Sequence, residues 1–141
     1  MRQPVGERIG YLVKQLQHQV RQASDAALRE QGLTMAQYAV LAALAESPGI
    51  AAAELARRTF VTRQSLQDVL RGLRAAGLVA VATSGAGRSR GVTLTPRAAA
   101  LLAGADAAVR EVEARMLAGI DAADVATTAA VLRRCGENLT G

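Results

Sequence analysis

Apolar residues recur at spacings of three and four near the start of the chain: Ile9, Leu12, Val13, Leu16, Val20, Ala23 and Ala27. That period places them on one face of a helix over residues 7–31, with Gly32 set to end it. At 25 residues such a helix is ~37 Å long, more than a small domain needs, so it suits an arm for another subunit. A second helix starts at Thr34. Thr34 and Gln37 have the spacing of a capping box, and Leu33 and Tyr38 that of a hydrophobic staple. Val40, Leu41 and Leu44 supply its buried side, and Ser47-Pro48-Gly49 ends it. A short third helix over about 51–58 carries Leu55 inward and Arg57 and Arg58 outward. Its start has no side-chain cap, because Ala51 to Ala53 offer no oxygen.

The stretch Thr62–Val79, TRQSLQDVLRGLRAAGLV, is a fourth helix with a sharply divided surface. Thr62 caps it, and Leu66, Val69, Leu70 and Leu73 form the inner stripe. Gly77 fits the left-handed position after its end, which lets Leu78 pack back on Leu73. Two short β-type runs follow, LVAVAT (78–83) and GVTLT (91–95), joined by a glycine-rich loop. They read as a hairpin with a long tip. Thr95-Pro96 starts a fifth helix running to about 118, with Leu101, Leu102, Val109, Val112 and Leu117 inside. Asp121 caps a last helix that carries Val125, Val131, Leu132, Cys135 and Leu139. The fold class is mainly α with a small β-hairpin. Two short helices across a tight turn, then a two-stranded hairpin, make a winged helix-turn-helix.

Charge sharpens this picture. Residues 51–100 hold eight arginines against Glu54 and Asp68, a net charge of +6, while the rest of the chain is near neutral at −1. A basic segment of this kind points to a polyanion. The outer face of the fourth helix holds Gln64, Asp68 and Arg71, with Ser65, Gln67 and Arg74 beside them. An α-helix fits the DNA major groove, where Gln matches adenine and Arg matches guanine through paired hydrogen bonds. Gln64, Ser65, Gln67, Asp68 and Arg71 are therefore the candidates for reading bases. Asp68 repels phosphate. It has two uses there: accepting from a cytosine amino group, or holding Arg71 at i+3, and we favour the second. Arg57, Arg58, Thr62, Arg63 and Arg74 are candidates for phosphate contacts, which set register without reading sequence. Arg88 and Arg90, among the loop glycines, are candidates for a narrow minor groove. The plain alternative is an ordinary solvated face. A winged-helix module for protein contact is the competing function, and the clustering of arginine argues against it.

Other chemistry is sparsely represented. One histidine, one cysteine and scattered carboxylates make no metal site, and His18 has no nucleophile to serve, so neither an enzyme nor a cofactor is expected. A single cysteine, Cys135, excludes an intrachain disulfide and fits a reducing cytoplasm. We read it as a small buried apolar residue rather than a redox switch. No apolar run approaches a membrane span, and the first residues lack the apolar core of a secretory signal.

Three stretches resemble the MarR family of winged-helix transcription regulators: LTMAQYAVLAALAESPG, ELARRTFVTRQSLQDVLRGLRAAGLV and RSRGVTLTPRA. The resemblance covers nearly the whole chain. It implies one MarR-like domain over residues 1–141. Residues 34–95 would form the DNA-binding head, and 1–33 with 96–141 the helices interleaved in a homodimer. It further implies a repressor of a palindromic double-stranded DNA operator, relieved by a small aromatic ligand between dimer region and head or by cysteine oxidation. Tyr11, His18 and Tyr38 are the candidates for that ligand; the alternative for Tyr11 and His18 is a dimer contact or plain surface, and for Tyr38 the staple with Leu33. The family wing often carries Asp-x-Arg; here Arg88 matches the arginine and Ala86 stands in place of the acid.

Overall fold

The computed structural model describes residues 1–81 and 91–141. Its helices are α1 (Ile9–Ala27), α2 (Met35–Glu46), α3 (Ala52–Arg58) and α4 (Arg63–Ala75), then α5 (Pro96–Met116) and α6 (Ala122–Thr140). Between α4 and α5 lie β1 (Val79–Val81) and β2 (Val92–Leu94), paired antiparallel with Val79 opposite Leu94 and Val81 opposite Val92. The loop residues 82–90, with Arg88 and Arg90, lie outside the described residues. Among those described, no helix is long and apolar enough to cross a membrane.

Local chemistry sets the element boundaries. Thr34 and Gln37 form the expected capping box: the Gln37 backbone N–H donates to Thr34 Oγ1 at 3.1 Å, and the Thr34 N–H donates to Gln37 Oε1 at 3.0 Å. Thr62 and Thr95 cap α4 and α5 through Oγ1, which accepts from Ser65 N–H at 3.0 Å and Ala98 N–H at 3.3 Å. At the far end of α4, Leu78 N–H donates to Leu73 C=O at 2.9 Å and Gly77 N–H to Arg74 C=O at 3.0 Å. This is a Schellman motif, with Gly77 at φ 74 and Leu78 buried beside Leu73. The base of the wing is fixed by a close approach of two glycines. A Cβ on Gly91 would stand 3.0 Å from Gly49 Cα, in the turn after α2.

One core serves the head and the middle of the chain. Leu28, Leu41, Leu44, Leu55, Leu66 and Leu73 are fully buried in it. They bring α2, α3, α4 and the hairpin together, and Leu102 and Ala105 of α5 close the cluster. Three details depart from the expected pattern. The first helix is α-helical only to Ala27. Residues Leu28–Gln31 tighten into a 3-10 turn that draws Leu28 into the core before Gly32. Asp121 stands at the N-cap of α6 but makes no side-chain capping bond. The third departure is the largest. The residues of α6 expected inside, Val125, Val131, Leu132, Cys135 and Leu139, are not buried, and Cys135 is exposed. The first half of the α1 stripe, Ile9 to Leu16, is exposed as well. Both stripes keep the helical period, and among the described residues no surface covers them.

Candidate nucleic-acid interface

The leucine face of α4 is clamped and its other face is bare. Leu66 and Leu73 are fully buried and Leu70 nearly so, while Arg63, Gln64, Ser65, Gln67, Asp68, Arg71 and Arg74 are all exposed. The exposed side chains are partly ordered by one another. Arg71 Nη1 donates to Asp68 Oδ1 at 3.1 Å, and Gln64 Nε2 lies 3.5 Å from the same oxygen. Asp68 thus holds Arg71 from the preceding turn, the role favoured from the sequence. Such an exposed pair adds little stability, so its effect is to limit where the guanidinium points. The Thr62 hydroxyl donates to Ser65 Oγ at 3.1 Å, which fixes the first turn.

The arginines of the basic segment fall into different settings. Arg57 Nε donates to Glu54 Oε2 at 3.0 Å. Arg58 Nη1 donates to Ser47 Oγ at 2.8 Å, and its Nε lies 3.7 Å from the other Glu54 oxygen. One carboxylate therefore holds two of the arginines nominated for phosphate. The i, i+3 and i, i+4 spacing of Glu54 with Arg57 and Arg58 is a signal that the charge count passed over. Arg97 Nη1 donates to Ala76 C=O at 2.9 Å, so it satisfies the end of α4 and ties α5 to it. Arg63 and Arg74 have no ion-pair partner among the described residues.

Behind α4 the head meets α1 and α5. Asp25 Oδ1 accepts from Met35 N–H at 2.6 Å, docking α1 on the start of α2. Tyr38 hydroxyl donates to Asp106 Oδ1 at 2.5 Å, which joins α2 to α5 across 68 residues of sequence. Burial, then the hydrogen bond and the charge of Asp106, push the Tyr38 hydroxyl up from 10.0 to about 12. The folded protein thus favours the protonated phenol. Stability from this site is fully present below pH 10 and is lost as the pH rises toward 12. In urea titrations across that range, wild-type stability is expected to fall more steeply than that of Tyr38→Phe. Parallel curves would mean that the pair does not hold the phenol neutral.

Of the cavities that α1 lines, two bear on ligand and partner contacts. One of about 280 Å³ lies where α1, α2 and the α3–α4 turn meet, and is lined by Arg21, Met35, Ala39, Phe60 and Val69 among others. The second, about 480 Å³ and almost wholly apolar, lies between α1 and α6 and is lined by Leu12, Leu16, Val20 and Leu132. Tyr11 and His18 are exposed on α1, and Tyr38 is engaged with Asp106; none of the three lines either cavity. Arg21, Met35 and Phe60 are the residues sequence reading passed over. Only the fold brings them together.

The MarR family model matches residues 31–89. The chain is 44% identical over 115 residues to the HTH-type transcriptional repressor Rv2887 of Mycobacterium tuberculosis, covering 81% of this chain and 83% of the relative. Its fold is similar to that of Rv2887 in complex with salicylic acid, with a TM-score of 0.74 at 40% identity, covering 91% of this chain and 96% of that one. It is likewise similar to Rv2887 in complex with DNA, with a TM-score of 0.72 at 37% identity over 92% and 98% of the two chains. The arrangement is that of a winged-helix transcription regulator. The chain belongs to the MarR family.

Proposed function

We propose that the protein is a homodimeric, sequence-specific DNA-binding repressor that works in the cytoplasm and is relieved by an aromatic carboxylate. The observation that carries this reading is the exposed Gln64–Asp68–Arg71 row on a helix whose opposite face is buried leucine. In this reading α4 lies in the major groove, with Gln64, Ser65, Gln67 and Arg71 toward base edges and Arg63 and Arg74 toward phosphates. Arg57 and Arg58 reach phosphate in competition with Glu54. Arg88 and Arg90 serve the minor groove. Residues 34–95 act as the head. Residues 1–33 and 96–141 act as the dimerisation region, which accounts for the bare apolar faces of α1 and α6.

The ligand reading rests on the cavity of about 280 Å³ between α1 and the head, where Arg21 offers a cation to a carboxylate. The relative crystallised with salicylic acid supports that class of compound. Fluorescence anisotropy with a labelled palindromic duplex tests both parts. Binding is expected to weaken steeply with added salt, and salicylate is expected to release the duplex. Binding that ignores salt would favour a protein-contact module instead.

A further inference from the structure

The turn between α3 and α4 contains a residue that the turn itself does not call for. Among the described residues, three Schellman motifs end helical segments. Leu33 N–H donates to Leu28 C=O at 3.3 Å, Leu78 N–H to Leu73 C=O at 2.9 Å, and Val61 N–H to Ala56 C=O at 3.1 Å. Each needs a left-handed residue just before that donor. Two of the three positions are glycine, Gly32 at φ 69 and Gly77 at φ 74; the third is Phe60 at φ 57. A bulky side chain is strained in that region, where glycine is not. The Phe60 side chain is also 95% exposed, although its neighbour Val61 packs on the core. The position thus combines backbone strain with a bare aromatic ring.

A partner from outside the chain accounts for both. Phe60 lies on the rim of the cavity of about 280 Å³, with Met35 and Val69 as apolar wall and Arg21 as cation. Arg21 has no carboxylate within ion-pair distance among the described residues. An aromatic face beside an uncompensated guanidinium matches a flat ring that carries a carboxylate. We propose that Phe60 is the specificity-determining residue of this site: it stacks on the ligand's ring while Arg21 takes the carboxylate. The inference rests on the ligand reading given above and deepens it. Phe60 is two residues before the N-cap Thr62, so a ligand that grips the ring pulls on the start of α4.

The test is calorimetric titration of the full chain with salicylate and with its saturated-ring analogue, 2-hydroxycyclohexanecarboxylate. Wild type is expected to bind salicylate and to prefer it. Phe60→Gly, which suits the positive φ, is expected to melt no lower than wild type yet bind salicylate about tenfold more weakly. Phe60→Leu is expected to lose the preference for the aromatic ring, and Phe60→Tyr to keep it. If Arg21→Ala weakens binding while Phe60→Gly and Phe60→Leu behave as wild type, the cavity stands and the role of Phe60 is refuted. If wild type binds no salicylate, the ligand reading fails and this proposal with it.

Discussion

Replacing Leu16 with glutamate is expected to turn a dimer into a monomer and to weaken binding to a palindromic duplex by roughly a thousandfold or more. Leu16 is 46% exposed and belongs to an apolar stripe that nothing among the described residues covers. It also lines the apolar cavity of about 480 Å³ between α1 and α6. Two-fold symmetry would bring the substitution into the interface twice. A carboxylate taken out of water without a partner costs several kcal/mol, on the order of the net stability of many dimers. The head should remain folded, because Leu16 is no part of its core. Light scattering after size exclusion gives the mass, and a thermal melt reports on the head. A Leu16→Glu protein that stays dimeric and binds DNA at full strength would place the interface elsewhere.

The second large effect concerns Arg71. A paired contact from arginine to guanine is worth roughly 1–3 kcal/mol of discrimination, and a dimer makes it twice. Arg71→Ala is therefore expected to lower affinity for the preferred site by roughly 2–6 kcal/mol while leaving binding to unrelated duplexes nearly intact. Arg63→Ala should do the opposite. It should weaken all sequences alike and reduce the slope of log affinity against log salt by about one for each subunit. Arg63 is a better phosphate probe than Arg57, because Arg57 is held by Glu54 in the free protein. Binding curves on one preferred and one scrambled duplex, each at several salt concentrations, separate the two effects. Equal losses on both duplexes for Arg71→Ala would remove it from the base-reading set.

The sequence was most informative where a few neighbouring residues decide the outcome. The capping box at Thr34, the caps at Thr62 and Thr95 and the glycine end of α4 each depend on residues within five positions of one another. The leucine stripe of α4 was legible for the same reason: a helical period is a local property. The Asp68–Arg71 pair follows from i, i+3 spacing. What could not be read depends on distant segments meeting. Tyr38 and Asp106 pair across two helices, and no local pattern announces it. The junction cavity gathers Arg21, Met35 and Phe60 from three elements. Burial in α6 was misjudged because periodicity identifies an apolar face and does not say which molecule covers it. The count of eight arginines also treated as equal a residue that caps a helix, Arg97, and two held by Glu54.

Phe60 illustrates a different limit. Phe60 stands in ELARRTFVTRQ between the third and fourth helices, in a turn that often contains glycine. The positive φ and the full exposure of the ring became evident only with the fold. A residue that breaks a local rule without a compensating contact inside the chain is a marker for function.

The central claim is that the Gln64–Arg71 face of α4 reads base pairs from a two-fold dimer. Selection of bound duplexes from a random pool, run in parallel with wild type and Arg71→Ala, tests it most directly. The expected result is a palindrome whose half-sites lie about 10–10.5 base pairs apart, with one position in each half-site losing its preference in the variant. Enriched sequences without two-fold symmetry, or the same preferences from both proteins, would contradict it.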